Sequence, residues 1–159
     1  MRINRKKFKG FCSFMAAVAL FPALIWWAGC YSEGIRPPRN KTARIMVVET
    51  TGYCNCGKCC GWRRSFFGLG RPVYSSGPNK GKPKKVGITA SGTTARYGTI
   101  AADTRMLPFG TVLYIPGYGY GRVEDRGGAI KGAKLDLWFP SHDRALQWGR
   151  RRLKVRVWR

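Results

Sequence analysis

Three aspartates, Asp103, Asp125 and Asp136, are the side chains in this sequence best suited to acid/base chemistry. Only seven acidic residues stand against thirty basic ones, for a formal net charge of +23. Against so thin a background of carboxylates, a group of them beside glycines, threonine and alternating apolar residues points to proton transfer. The competing local role for any one of them is a turn cap or an Arg partner, since Asp bonds readily to nearby backbone.

Alternation places one of the three. In Leu135-Asp136-Leu137-Trp138-Phe139 the leucines and Phe139 fall on one strand face, and Asp136 shares the other with Trp138. A carboxyl beside an indole is partly desolvated, which raises its pKa toward that of a usable general acid. Asp125 closes the preceding strand, and a hairpin through Gly127-Gly128 would bring it near Asp136, where a second negative charge raises the titration further.

The elements that must position these groups are short. Strands are predicted over 44–50, 86–90, 98–102, 111–115, 121–125, 134–139 and 153–158, each bounded by turn residues. One helix is predicted over 141–150, with Ser141 as N-cap, Gly149 near its end, and Ala145, Leu146 and Trp148 as its apolar contacts. His142, the only histidine, falls at the exposed start of that helix and reads as structural. Many short strands and one helix describe an all-β chain closed as a compact barrel. Two glycine-rich runs are not nucleotide sites. In 77–82 the spacing is too short for a phosphate loop, and Pro83 stands where Ser or Thr would ligate magnesium. Residues 117–121 lead into no helix.

The N-terminus reads as a targeting segment. Arg2, Arg5, Lys6, Lys7 and Lys9 precede an uncharged run from Gly10 to Ser32, the order of a secretory signal or membrane anchor. The run ends Trp27-Ala28-Gly29-Cys30, similar to a bacterial lipobox in which Cys30 is lipidated, although Trp27 departs from the aliphatic residue of that pattern. Residues 1–29 are thus a signal peptide or anchor, 30–44 a tether containing Pro37-Pro38, and 45–159 the folded domain. Every variant of this reading sends the domain out of the cytoplasm, away from nucleic acid, so the basic charge implies no nucleic-acid partner.

Cys54, Cys56, Cys59 and Cys60 lie within seven residues. In an oxidising compartment four cysteines suit two disulfides. A metal site or free thiols are the alternatives, and the sequence offers no second cysteine pair for zinc. Residues 61–85 are basic and aromatic, either a groove wall for an anionic polymer or a solvated loop pinned by the cysteines.

The runs T-A-S-G-T (89–93), G-T-I-A-A-D-T (98–104), L-P-F-G-T-V-L-Y-I (107–115), G-Y-G-Y-G-R-V-E-D-R-G-G-A-I-K-G (117–132), L-D-L-W-F (135–139) and W-G-R-R-R (148–152) together resemble the bacterial 3D domain, named for its three aspartates. That family is related to the catalytic barrel of membrane-bound lytic transglycosylase A and to stationary-phase muralytic proteins. Thr51-Gly52-Tyr53 is similar to the family's opening Thr-Ala-Tyr, with Gly in place of Ala. The Cys cluster and the basic stretch over 61–85 depart from the simplest members.

The resemblance implies a six-stranded double-psi β-barrel with peptidoglycan glycan strands as substrate. It implies Asp136 as the acid/base group with Asp125 and Asp103 beside it, and Tyr53, Thr89, Lys131 and Trp138 as substrate contacts. The implied reaction is lytic transglycosylation. One carboxyl protonates the oxygen between N-acetylmuramic acid and N-acetylglucosamine, then accepts the proton of the muramyl 6-hydroxyl as that oxygen closes on C1. The product is a 1,6-anhydro sugar, and the chemistry needs neither metal nor cofactor. The alternative is a non-catalytic wall-binding or wall-loosening module. A membrane partner is implied through the anchor or lipid.

Overall fold

The computed structural model describes residues 34–159. The targeting run and Cys30 lie outside the described residues. β-branched and aromatic residues interrupted by glycines give eight strands: β1 Arg44–Tyr53, β2 Trp62–Arg64, β3 Pro72–Tyr74, β4 Thr99–Ala102, β5 Val112–Ile115, β6 Gly119–Asp125, β7 Lys134–Trp138 and β8 Arg151–Trp158. Six close into a barrel in the order β1-β7-β4-β6-β5-β8. β1 with β7 and β4 with β6 run parallel, and the other pairs are antiparallel. This is the six-stranded closed barrel that the family resemblance implies. Closure leaves its strands no free edge.

Alternation fills the interior. Val48, Ile100, Leu113, Val123, Leu137 and Val155 meet inside at 0–1% exposure, and the residues between them face outward. At one end of the core Tyr118, Phe139 and Trp148 pack edge to face or tilted, with ring centroids 5.4–6.0 Å apart, within the favourable range for aromatic pairs. The Tyr118 hydroxyl accepts from the Gly98 N–H at 3.0 Å and donates to the Trp138 carbonyl at 2.9 Å, tying the entry of β4 to the end of β7.

Helix α2, His142–Trp148, begins at Ser141, whose side chain accepts from the Arg144 N–H at 3.3 Å. The helix lies on β1, and Gly52 is the reason it can. A Cβ there would stand 2.8 Å from the Ala145 carbonyl oxygen and 3.0 Å from a Phe139 ring carbon. Ala145 and Trp148 are buried, and the Trp148 indole donates to the buried Thr50 hydroxyl at 3.2 Å. Leu146, expected among the contacts, is exposed. With only two turns of helix on the sheet, the face one position past Ala145 turns outward.

Three other expectations change. Residues 86–90 form no strand, only one isolated bridge between Ile88 and Thr94, because Gly87 at φ +78° turns the chain there. The 30–44 tether is not all free, since Ile35 is buried against Val112 and Trp158. The basic stretch over 61–85 contains the β2–β3 ribbon, a two-stranded sheet apart from the barrel. Phe66, Phe67 and Leu69 are exposed where β2 gives way to β3. A short helix α1, Gly57–Cys60, precedes that ribbon.

Candidate active site

A row of residues crosses four neighbouring strands on the outer face of the barrel. Thr51 on β1 pairs with Asp136 on β7, Asp136 with Ala101 on β4, and Ala101 with Asp125 on β6. Directly paired residues project to the same side of a sheet, so both carboxylates point out of the barrel with a single methyl group between them. The hairpin expected to join Asp125 to Asp136 is not formed. β4 lies between β6 and β7, and Ala101 sets the separation, roughly two strand spacings of about 4.8 Å each.

A β-bulge brings Asp125 into this row. Thr99 pairs with Arg122 and Ile100 with Val123, but Ala101 then pairs with Asp125, skipping Glu124. Unbroken alternation after the buried Val123 would have sent Asp125 into the core. The extra residue re-aims it, a common use of bulges. Glu124 is buried instead and accepts from the Thr99 hydroxyl at 2.8 Å.

The two carboxylates differ in how they are held. Asp125 Oδ1 accepts from the Ala90 and Arg126 N–H groups, each at 2.9 Å, and Oδ2 accepts from the Tyr53 hydroxyl at 3.2 Å. Asp136 Oδ1 accepts from the Thr51 hydroxyl at 2.7 Å, and its other oxygen has no hydrogen-bond partner among the described residues. Burial pushes the Asp136 carboxyl above the ordinary Asp range. The Thr51 hydrogen bond opposes that rise, and the nearby negative charge of Asp125 adds to it. Tyr53 is held well above the usual phenol range by burial and by Asp125, so it stays a proton donor.

These groups line a groove of about 770 Å³ whose far wall is built from the segment after β1 and the residues before β4: Cys60, Tyr74, Lys84, Lys85, Thr89 and Ala90. Of the basic stretch over 61–85, Tyr74, Pro83, Lys84 and Lys85 line this groove. Lys84 donates to the Cys60 carbonyl and lies over the Tyr74 ring, 4.7 Å from its centre. Burial pushes the Cys60 thiol up to about 11, which leaves it neutral at pH 7.

Asp103 does not join the pair. It forms a bidentate pair with Arg105 at 3.0 and 2.8 Å and accepts from the Gly132 N–H at 3.0 Å. These bonds hold its carboxyl well below the usual range, the Arg105 hydrogen bond first among them. It lines a separate cleft that shares Arg126, Gly127, Gly128 and Ile130 with the main groove. Asp103 thus stands behind the β6–β7 loop and anchors its end. Lys131 also belongs to that second cleft and does not line the groove of Asp136. Of the other expected contacts, Tyr53 and Thr89 line the groove. Trp138 shares the Asp136 face but is not part of the lining, and its indole donates to Asn55 Oδ1, a lining residue, at 2.8 Å.

Thr51, Ala101 and the Ala90 N–H fall within the quoted motifs, but the sequence assigns them no part in the site. Thr51 had a legible signal, because it sits two residues before Tyr53 and so shares its face. Ala101 and Ala90 had none, because their roles depend on which strand and loop arrive beside them.

Comparison with known proteins bears on this site. The family model described as the 3D domain matches residues 98–159, from the approach to β4 through β8. Two Bacillus subtilis proteins are similar. YabE, named for cell wall shaping, is 31% identical over 119 residues, covering 74% of this chain and 24% of YabE. The cell wall-binding protein YocH is 32% identical over 106 residues, covering 55% of this chain and 37% of YocH. The chain therefore spans about a quarter of YabE and somewhat over a third of YocH. Among solved structures, the E. coli lytic transglycosylase MltA aligns at 24% identity with a TM-score of 0.39, covering 44% of this chain and 26% of MltA. A D308A variant of MltA aligns at 23% identity with a TM-score of 0.37, covering 43% and 26%. That likeness is too partial to carry a functional argument. The three aspartates in order and the match over 98–159 agree, and residues 98–159 of the chain match the 3D domain family.

Proposed function

We propose that this domain is a peptidoglycan lytic transglycosylase with Asp136 as its single acid/base group. The observation that carries the reading is the contrast between the two carboxylates. Asp125 is engaged by three donors, and Asp136 keeps one oxygen free in the groove with its pKa raised. A hydrolase needs a second carboxylate free to act as base or nucleophile. With Asp125 engaged, the chemistry left to Asp136 is a reaction whose nucleophile comes from the substrate.

In that reaction the protonated Asp136 gives its proton to the glycosidic oxygen as the bond to C1 of the muramyl ring breaks. The carboxylate then takes the proton of the muramyl 6-hydroxyl, whose oxygen bonds to C1, and no water is consumed. Thr51 fixes the carboxyl rotamer, and Asp125 raises the proton affinity of Asp136 without itself transferring a proton. An intramolecular nucleophile needs little placement by the protein. Lys84, Lys85 and Arg126 along the groove suit a polymer whose peptide stems carry carboxylates. The names of the relatives, cell wall shaping and cell wall binding, support a wall substrate. The basic N-terminal segment supports a domain outside the cytoplasm, held at the membrane by its apolar run or by a lipid on Cys30.

The decisive experiment is digestion of purified sacculi followed by mass analysis of soluble fragments. The expected products weigh one water less than hydrolysis products. Asp136→Asn should lower their release by about 10²–10⁴-fold while sacculus binding survives. Turnover by Asp136→Asn at the wild-type rate would remove Asp136 from this role, and fragments of full hydrated mass would make the protein a hydrolase. The basic lining of the groove also favours a second reading, wall binding without cleavage. Binding with no soluble fragment from wild type would establish that one instead.

A further inference from the structure

At the groove wall, which Cys59 itself lines, three cysteines meet the only histidine of the chain. Cys54 Sγ lies 3.8 Å from Cys59 Sγ, and His142 Nδ1 lies 3.3 Å from Cys59 Sγ and 3.6 Å from Cys56 Sγ. All four ligand atoms fall within 4.8 Å of one another. We propose that Cys54, Cys56, Cys59 and His142 form a tetrahedral structural site for zinc.

Bond lengths of about 2.3 Å to sulfur and about 2.0–2.1 Å to nitrogen, at tetrahedral angles, require edges of about 3.8 Å between sulfurs and about 3.5 Å between sulfur and nitrogen. The Cys54–Cys59, Cys56–His142 and Cys59–His142 separations lie close to those edges, and the remaining ones are within 4.8 Å. Disulfides account for the cluster less well. Pairing two sulfurs gives no reason for an imidazole nitrogen to sit against two of them. Cys60 stands apart from the set, with its thiol donating to the Cys54 carbonyl at 3.1 Å. The Cys59 N–H donates to the Cys56 sulfur at 3.4 Å at the start of α1, which fixes the position of that sulfur.

Soft thiolates with one imidazole select zinc over magnesium or calcium. Four protein ligands leave no open position, which marks a structural rather than a catalytic centre. Binding deprotonates the three thiols, releases three protons to solvent and moves no electrons. The product carries one net negative charge in a strongly basic chain. Its mechanical effect is to clamp the loop after β1 to the start of α2. That loop carries Asn55, which holds the Trp138 indole, and leads to Cys60 at the groove edge. The sequence alone suggested disulfides because four cysteines in an oxidising compartment suit two bridges and no second cysteine pair is offered for zinc; the fold supplies His142 as the fourth ligand.

The test is metal analysis of the full-length chain purified without chelator. About one zinc per chain is expected, and Co²⁺ exchanged into the site should show the visible ligand-field bands of tetrahedral cobalt with thiolate charge transfer. Cys59→Ser and His142→Ala should each lose most of the zinc and shift the cobalt spectrum, whereas Cys60→Ser should retain both. If a ligand variant fails to fold, the cobalt spectrum of wild type still decides. Wild type without stoichiometric zinc or a tetrahedral cobalt spectrum would overturn the proposal, as would an intact mass lower by two hydrogens per bridge. Full zinc retention by His142→Ala would overturn the ligand set.

Discussion

At Asp136, burial, the negative charge of Asp125 and the Thr51 hydroxyl act on one carboxyl group, the first two raising its pKa and the third lowering it. This makes two substitutions diagnostic because they should move the pH profile in opposite directions. A general acid must be protonated, so the rate falls on the alkaline side as pH rises through the Asp136 pKa. Asp125→Asn removes a negative charge, lowers that pKa and should shift the alkaline limb to lower pH. Thr51→Val removes a hydrogen bond to the charged form and should shift it to higher pH. Rate measurements on sacculi across pH check both, and shifts of the same sign would mean that Asp136 is not the titrating group. The raised pKa also has a stability sign. Its contribution is fully present below the unfolded value of about 3.9 and is lost as pH rises through the folded value. Asp136→Asn should therefore melt no lower than wild type at pH 7, which separates a loss of rate from a loss of fold.

The elements around the site are held by groups that do no chemistry. Asp103 is the clearest, receiving the Gly132 N–H where the β6–β7 loop turns into β7 and pairing with Arg105 on its own side. Its lowered pKa carries the opposite sign to that of Asp136. The stabilisation is present above the unfolded value of about 3.9 and is lost as pH falls toward the folded value. Asp103→Asn should melt below wild type at pH 6, with the gap closing as pH falls below about 4. Thermal melts of both proteins from pH 2 to 7 check this, and a gap independent of pH would show that the carboxylate charge is not what anchors the loop. Gly52 works at the same scale. Without a side chain at that position, α2 can approach β1 closely enough to bring His142 to the cysteines.

Across the whole molecule the net charge of +23 is barely compensated, with three ion pairs formed among the described residues. Such a surface contributes little to the fold and much to where the protein accumulates. Attraction to a wall bearing carboxylates should be strongly salt-dependent, since screening shortens from about 10 Å at 0.1 M salt to about 3 Å at 1 M. Binding to sacculi should weaken by at least about tenfold over that range, as measured by pelleting. Salt-insensitive binding would shift recognition from the general charge to specific contacts in the groove.

Local pattern was enough to read the β class, the helix from Ser141, the outward face of Asp136 and the order of the family motifs. Each of these depends on alternation, capping and turn residues close along the chain. Three features depended on which distant segments arrive side by side. β4 inserts between β6 and β7, so Ala101 rather than a hairpin sets the spacing of the two carboxylates. The bulge at Glu124 reverses the phase of β6, which unbroken alternation would have run the other way and buried Asp125. His142 reaches cysteines more than eighty positions earlier because α2 settles on Gly52. Register, strand order and helix packing are set by the closing of one shared core, and a single residue's neighbours along the chain carry no record of them.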